Sequence, residues 1–239
     1  GGWHGSRSVR VMLLRQLFDQ ESSTFTYLVA DELTKRAALI DPVASQVDRD
    51  LRLIAELGLT LAYVLDTHVH ADHVTAAGEL RRRTGALTAA SSIGAPCVDL
   101  KLHDGDLISL GDVELRVLAT PGHTDDGLSF AVGGYVFTGD TLLVRGTGRA
   151  DFQNGSPKAL FDSITRVLFA LPDETVVLPG HDYKGFTSTT IGEERAHNPR
   201  LAGKTLAEFE TIMNNLGLPP PKKLALAVPA NRACGEIVS

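Results

Sequence analysis

The stretch Thr67-His68-Val69-His70-Ala71-Asp72-His73 places four metal-binding side chains in six positions, in the pattern H-x-H-x-D-H. With only 8 histidines among 239 residues, such density is not expected by chance. Imidazoles and carboxylates gathered at one point either hold a metal ion or form a costly cluster of buried polar groups. Three more candidates follow along the chain: His123 in Pro121-Gly122-His123, Asp140 in Thr138-Gly139-Asp140 and His181 in Pro179-Gly180-His181. A single Gly-His or Gly-Asp after a strand is ordinarily just a turn. Three of them, each closing a predicted strand, would bring their side chains to the same rim as the first motif.

These groups need elements to position them. The run 61–65 ahead of the first motif is apolar and β-favouring, and the run 74–83 behind it has helical periodicity, so the motif sits where a strand gives way to a helix. On a strand-like backbone His68 and His70 point the same way, and the following turn brings Asp72 and His73 round to them. The pattern predicts further strands at 11–17, 24–30, 36–40, 87–90, 107–110, 113–118, 128–132, 135–138 and 175–178. Helices are predicted at 47–57, 73–83, 156–169 and 204–215, the third capped by Ser156 with Pro157 at its first position. Strands in groups with helices between them argue for two sheets packed face to face with helices outside. One domain is expected over 9–239, including a C-terminal extension strapped across the surface by the stiff Pro219-Pro220-Pro221 run. Residues 1–8 lack an initiator Met and read as an appended or disordered leader, so His4 receives no role.

A net charge of −6 and a pI near 5.7 give no support to nucleic-acid binding, which leaves a basic footprint. No run approaches the roughly 18 apolar residues of a membrane span. Apolar faces on the outer helices could support a homodimer. The two cysteines, Cys97 and Cys234, are far apart and not in a C-x-x-C arrangement. They are therefore expected to be unpaired, buried small residues in a reducing compartment, the cytoplasm or alternatively a mitochondrial matrix. His103 and His197 fall outside the ligand pattern and read as surface or packing residues.

The order H-x-H-x-D-H, His123, Asp140, His181 resembles that of the metallo-β-lactamase superfamily. The resemblance implies an α/β chain folded as an αββα sandwich, with a metal site at one edge of the two sheets. More specific are the stretch from Thr138 to Gln153 (TGDTLLVRGTGRADFQ), the stretch from Gly180 to Thr187 (GHDYKGFT), Glu193-Glu194-Arg195 with Asn198-Pro199-Arg200, and Ala227-Val228-Pro229-Ala230-Asn231. Together they resemble the persulfide dioxygenases, also called sulfur dioxygenases. That resemblance implies one Fe(2+) per chain, held by His68, His123 and Asp140, and oxidation of glutathione persulfide by O2 to sulfite and glutathione. It places His70, Asp72, His73 and His181 around the site as supports for the ligands. The residues alone would equally support two metals: His68, His70 and His123 on one, Asp72, His73 and His181 on the other, and Asp140 between.

Glutathione carries two carboxylates, so cations and hydrogen-bond donors are expected near the metal. Arg145, Arg149, Tyr183 and Arg200 lie in loops that follow the ligand-bearing strands and are the expected substrate contacts, with Lys184 a weaker candidate. Arg149 with Asp151 could instead be a structural pair. The nearest rival is a hydroxyacylglutathione hydrolase of the glyoxalase II type, with the same fold but hydrolysis at two metals. The stretch after His181 is short for that family's helical substrate-binding domain.

Overall fold

The computed structural model describes residues 12–236, and the predicted leader at 1–8 lies outside the described residues. The first half of the chain runs β1 (Met12–Asp19), β2 (Thr24–Asp31), β3 (Arg36–Ile40), α1 (Val47–Glu56), β4 (Thr60–Leu65), α2 (Ala77–Thr84), β5 (Leu87–Ser91) and β6 (Leu100–Leu102). Its strands form one six-stranded sheet in sequence order. The second half runs β7 (Leu107–Leu110), β8 (Val113–Ala119), β9 (Leu128–Val132), β10 (Tyr135–Gly139), β11 (Leu142–Leu143), β12 (Gly146–Thr147), α3 (Pro157–Asp162), β13 (Val176–Pro179), β14 (Thr189–Thr190), α4 (Ile191–His197), α5 (Leu206–Asn214) and α6 (Leu224–Arg232). Here the sheet order is β14-β13-β10-β9-β8-β7, with β11 and β12 paired separately.

Side-chain alternation along β2 shows why the sheets stack. Tyr27 and Val29 enter the core between the sheets with Ile40, Leu65, Leu115, Phe130 and Phe137, whereas Leu28 and Ala30 face the opposite way. There they join Val47 and Ile54 of α1 and Leu80 of α2. On the far side Val136 and Val177 pack with Leu160 of α3, Ile191 of α4 and Phe209 of α5. Three apolar layers between four layers of structure make the predicted αββα sandwich.

Ser156 caps α3 by accepting the Ala159 N–H at 3.1 Å, as its position before Pro157 predicts. Two expectations need correction. The helix after the first motif starts at Ala77, not at 73, because residues 73–76 belong to the loop that carries the metal-type side chains. Cys97 and Cys234 are joined in a disulfide across 137 residues of chain, their Cα atoms 5.9 Å apart. Spacing hid the pair, since only the fold brings α6 back against the loop that follows β5. Among the described residues, no helix is long and apolar enough to cross a membrane.

Candidate metal centre

Four strands end at one edge of the sandwich. β4 leads into Thr67 and His68, β8 into His123, β10 into Asp140 and β13 into His181. Two main-chain bonds tie the sheets together at this edge, from Phe25 N–H to Gly180 O and from Leu128 N–H to Thr67 O, both 2.8 Å. Glycine is needed where the turns are tightest. Gly139 has φ +51° and a Cβ there would lie 2.7 Å from Thr67 Oγ1; Gly122 has φ +145° and a Cβ would strike the Leu160 backbone at 2.2 Å.

Hydrogen bonds set which imidazole nitrogen faces the centre. The Thr67 hydroxyl donates to Asp41 Oδ2 at 2.8 Å, so its oxygen is left to accept from His68 Nδ1–H at 2.9 Å. His123 Nδ1–H donates to the carbonyl of Arg149 at 2.7 Å. Both rings therefore present an Nε2 lone pair, each 3.5 Å from Asp140 Oδ2. Burial pushes the His123 pKa down, which favours the neutral, ligating form. The three ligand atoms lie within 4.8 Å of one another, a spacing one ion can bridge.

His181 stands behind this trio. Its Nδ1 donates to Asp140 Oδ1 at 2.5 Å and its Nε2 to Asp72 Oδ2 at 2.6 Å. Burial opposes charge on the ring, but Asp140 and Asp72 outweigh it and hold the imidazole well above its ordinary pKa. A ring that donates from both nitrogens has no lone pair for a metal. His70, Asp72 and His73 form a second group with ligand atoms within 4.8 Å. His70 Nε2 faces Asp41 Oδ1 at 3.0 Å, while His70 Nδ1 and His73 Nε2 are buried with no partner among the described residues.

A cavity of about 650 Å³ opens on His123, Asp140 and His181 and is lined by Arg145, Arg149, Tyr183, Lys184 and Arg200. The cations differ in what already holds them. Arg145 pairs with Glu194, which is fully buried, and also approaches Glu193. Arg149 grips Asp151 through Nε at 2.6 Å and Nη2 at 2.8 Å, donates to Pro219 O and lies over the Phe152 ring. Arg200 has no carboxylate partner among the described residues; it donates to Thr147 O and Oγ1 at 2.9 and 3.0 Å. Tyr183 is 74% exposed, its ring stacked parallel to His181. His103 and His197 are exposed.

The model of the Metallo-beta-lactamase superfamily matches residues 20–96 and 96–181. The human protein named "Persulfide dioxygenase ETHE1, mitochondrial" is 46% identical over 227 residues, covering 94% of this chain and 89% of its own length. The chain belongs to the persulfide dioxygenases of that superfamily. A crystal structure titled ETHE1 from Myxococcus xanthus superposes with a TM-score of 0.93 at 62% identity, covering 94% of this chain and all of the other. A hydroxyacylglutathione hydrolase from Cereibacter sphaeroides is 39% identical over 186 residues, covering 75% of this chain and 71% of its own.

Three residues support the centre in ways their sequence positions do not announce, Asn231 having entered only within the stretch 227–231 and with no role. Asp41, at the end of β3, accepts from Thr67 and faces His70; Asp126 accepts the Val69 N–H at 2.9 Å; Asn231 bonds the loop that follows His70. Asp41 directly follows the predicted strand 36–40, and its burial is seen only in the fold. Nothing in the spacing marks the other two as neighbours of residues 69–75.

Proposed function

We propose that this enzyme oxidises glutathione persulfide with O2 and water to glutathione and sulfite, using one iron held by His68, His123 and Asp140. The balance is one persulfide, one O2 and one water giving one thiol, one sulfite and two protons. The observation that carries the reading is the division of Asp140: Oδ2 faces the two Nε2 atoms while Oδ1 is taken by His181. Two imidazoles and one carboxylate are the donor set of oxygen-using ferrous sites, and leave positions open for two more molecules. When bound, ferrous iron supplies the electrons that let O2 and a sulfur atom react, which zinc cannot do.

The protein's own residues hold and orient. Thr67 and the Arg149 carbonyl fix the two imidazole tautomers, and the His181 imidazolium keeps Asp140 ionised. Arg200, without a carboxylate partner among the described residues, and the Tyr183 hydroxyl are the groups best able to take a substrate carboxylate. Arg145 and Arg149 brace the cavity wall through pairs they already make. We place the activity in a cytoplasm or a mitochondrial matrix; the human relative's name carries the word mitochondrial, while the Cys97–Cys234 disulfide removes the cysteine support for a reducing compartment.

One observation favours a second reading. His70 Nδ1 and His73 Nε2, buried beside Asp72 with no partner among the described residues, could serve a second ion, as thioester hydrolysis at two metals requires. Against it, Asp72 already accepts from the His181 imidazolium. The test is O2 uptake by the ferrous protein with glutathione persulfide, set beside hydrolysis of lactoylglutathione. Uptake coupled to sulfite supports the dioxygenase; hydrolysis without uptake refutes it.

A further inference from the structure

Helix α6 takes no part in the chemistry above, yet it reaches the loop that carries the first motif. Asn231, buried on α6, accepts the Thr75 N–H at 2.8 Å and donates from Nδ2 to His70 O at 2.9 Å and His73 O at 2.8 Å. Both amide hydrogens and the amide oxygen are thereby used. The stretch 70–75 has no helix or strand ladder, so these main-chain groups need partners from outside. Only an amide offers one acceptor and two donors in so short a side chain.

The chain after Asn231 is fastened to the same region. Gly78 N–H donates to Cys234 O at 2.8 Å, and a Cβ on Gly78 would sit 2.8 Å from that oxygen. Gly235, at φ +78°, lies so close to Thr75 that a Cβ would come within 2.1 Å of its carbonyl. The disulfide to Cys97 then ties this segment to the loop after β5. Cys234 is buried and Cys97 is half-buried.

We propose that Asn231 is a positioning residue for the loop 70–75 that follows the metal ligand His68, and that the Cys97–Cys234 disulfide is the lock that keeps it engaged. The inference rests on the reading that His68 holds the metal. Two equivalents of a small thiol open the lock. The first thiolate bonds to Cys97 Sγ, and Cys234 leaves as a thiolate that takes a proton from solvent. The second thiol releases Cys97 as a thiol, and the two small thiols depart joined as a disulfide. The protein pair gains two electrons and the small thiols lose two. Thiol-rich solution thus loosens the loop, and oxidised conditions fasten it.

The test uses the iron-loaded full chain and two readouts: hydrogen exchange of the peptide spanning 70–75, and the rate of iron transfer to a chromophoric chelator. The samples are the oxidised wild type, the wild type reduced with a phosphine, Cys97→Ser, Asn231→Ala, and Ala207→Gly as a control that loosens the separate helix α5. Reduction, Cys97→Ser and Asn231→Ala are each expected to speed both exchange and iron release by about tenfold, the lower end of what supports of a metal site are worth. Ala207→Gly should move neither at a matched loss of Tm. The proposal is overturned if Asn231→Ala only matches the control, or if the reduced wild type behaves like the oxidised one. Should Asn231→Ala fail to fold, the reduced wild type decides the matter. An iron-free wild type would refute the metal reading alone, because exchange at 70–75 is read without metal.

Discussion

Asp140 and His181 are joined by a 2.5 Å hydrogen bond from Nδ1 to Oδ1, and this single contact sorts the histidines of the site into two kinds. The carboxylate that would hold the metal through Oδ2 is itself held, through Oδ1, by an imidazolium anchored on Asp72. His181 therefore acts on the metal through Asp140. Replacing it with Asn should leave iron bound but lower iron affinity or turnover 10- to 100-fold, roughly the usual effect of removing such a support. Metal titration and turnover of the same preparation check this. A His181→Asn protein with no iron at all would make His181 a ligand.

Arg200 and Arg145 line one cavity but should respond differently to substitution. Arg200→Ala removes a guanidinium with no carboxylate partner among the described residues, so KM for glutathione persulfide should rise 10- to 100-fold with kcat little changed, about the worth of a hydrogen bond to a charged group. Arg145→Ala leaves buried Glu194 unpaired and should instead destabilise the fold by roughly 3–5 kcal/mol. Steady-state kinetics and denaturant melts separate the two. Equal effects on KM would show that Arg145 also touches substrate.

Much of this arrangement could be read from the chain because its chemistry is local in sequence. The H-x-H-x-D-H run and three Gly-then-ligand breaks each follow a strand of alternating or continuous apolar residues, and the strands set the rim. The roles within the rim could not be read that way. Whether His181 binds metal or supports Asp140 depends on which carboxylate oxygen it faces, a matter of ångströms across 41 residues. Helix α6 was hidden by Pro229 in its interior and by the proline run before it, both of which argue against helix locally. Without α6 in view, Cys234 could not be brought to Cys97. Likewise the start of α2 was set too early, because Val74 continues the apolar period although its backbone serves the loop.

Asp50 offers a check on the fold that is independent of the metal. It is fully buried on α1, bonded through Oδ1 to Arg49 Nε at 3.0 Å, and its Oδ2 has no partner among the described residues. Burial lifts its pKa from 3.8 to about 6. The folded state thus binds this proton more tightly than the unfolded state does. Its contribution to stability is complete below about pH 3.8 and is lost as pH rises through about 6, roughly 2–3 kcal/mol in all. Asp50→Asn should therefore raise the Tm at pH 8 and leave it nearly unchanged at pH 4. A variant that melts lower than wild type at both pH values would contradict this.

The most direct test of the account is the metal content per chain of the protein loaded anaerobically with ferrous iron, in the wild type and in His68→Ala, His123→Ala, Asp140→Ala and His70→Ala. The account predicts one iron per chain in the wild type, less than about a tenth of that in the first three variants, and most of it retained in His70→Ala. Two ions per wild-type chain, or an emptied site in His70→Ala, would contradict it.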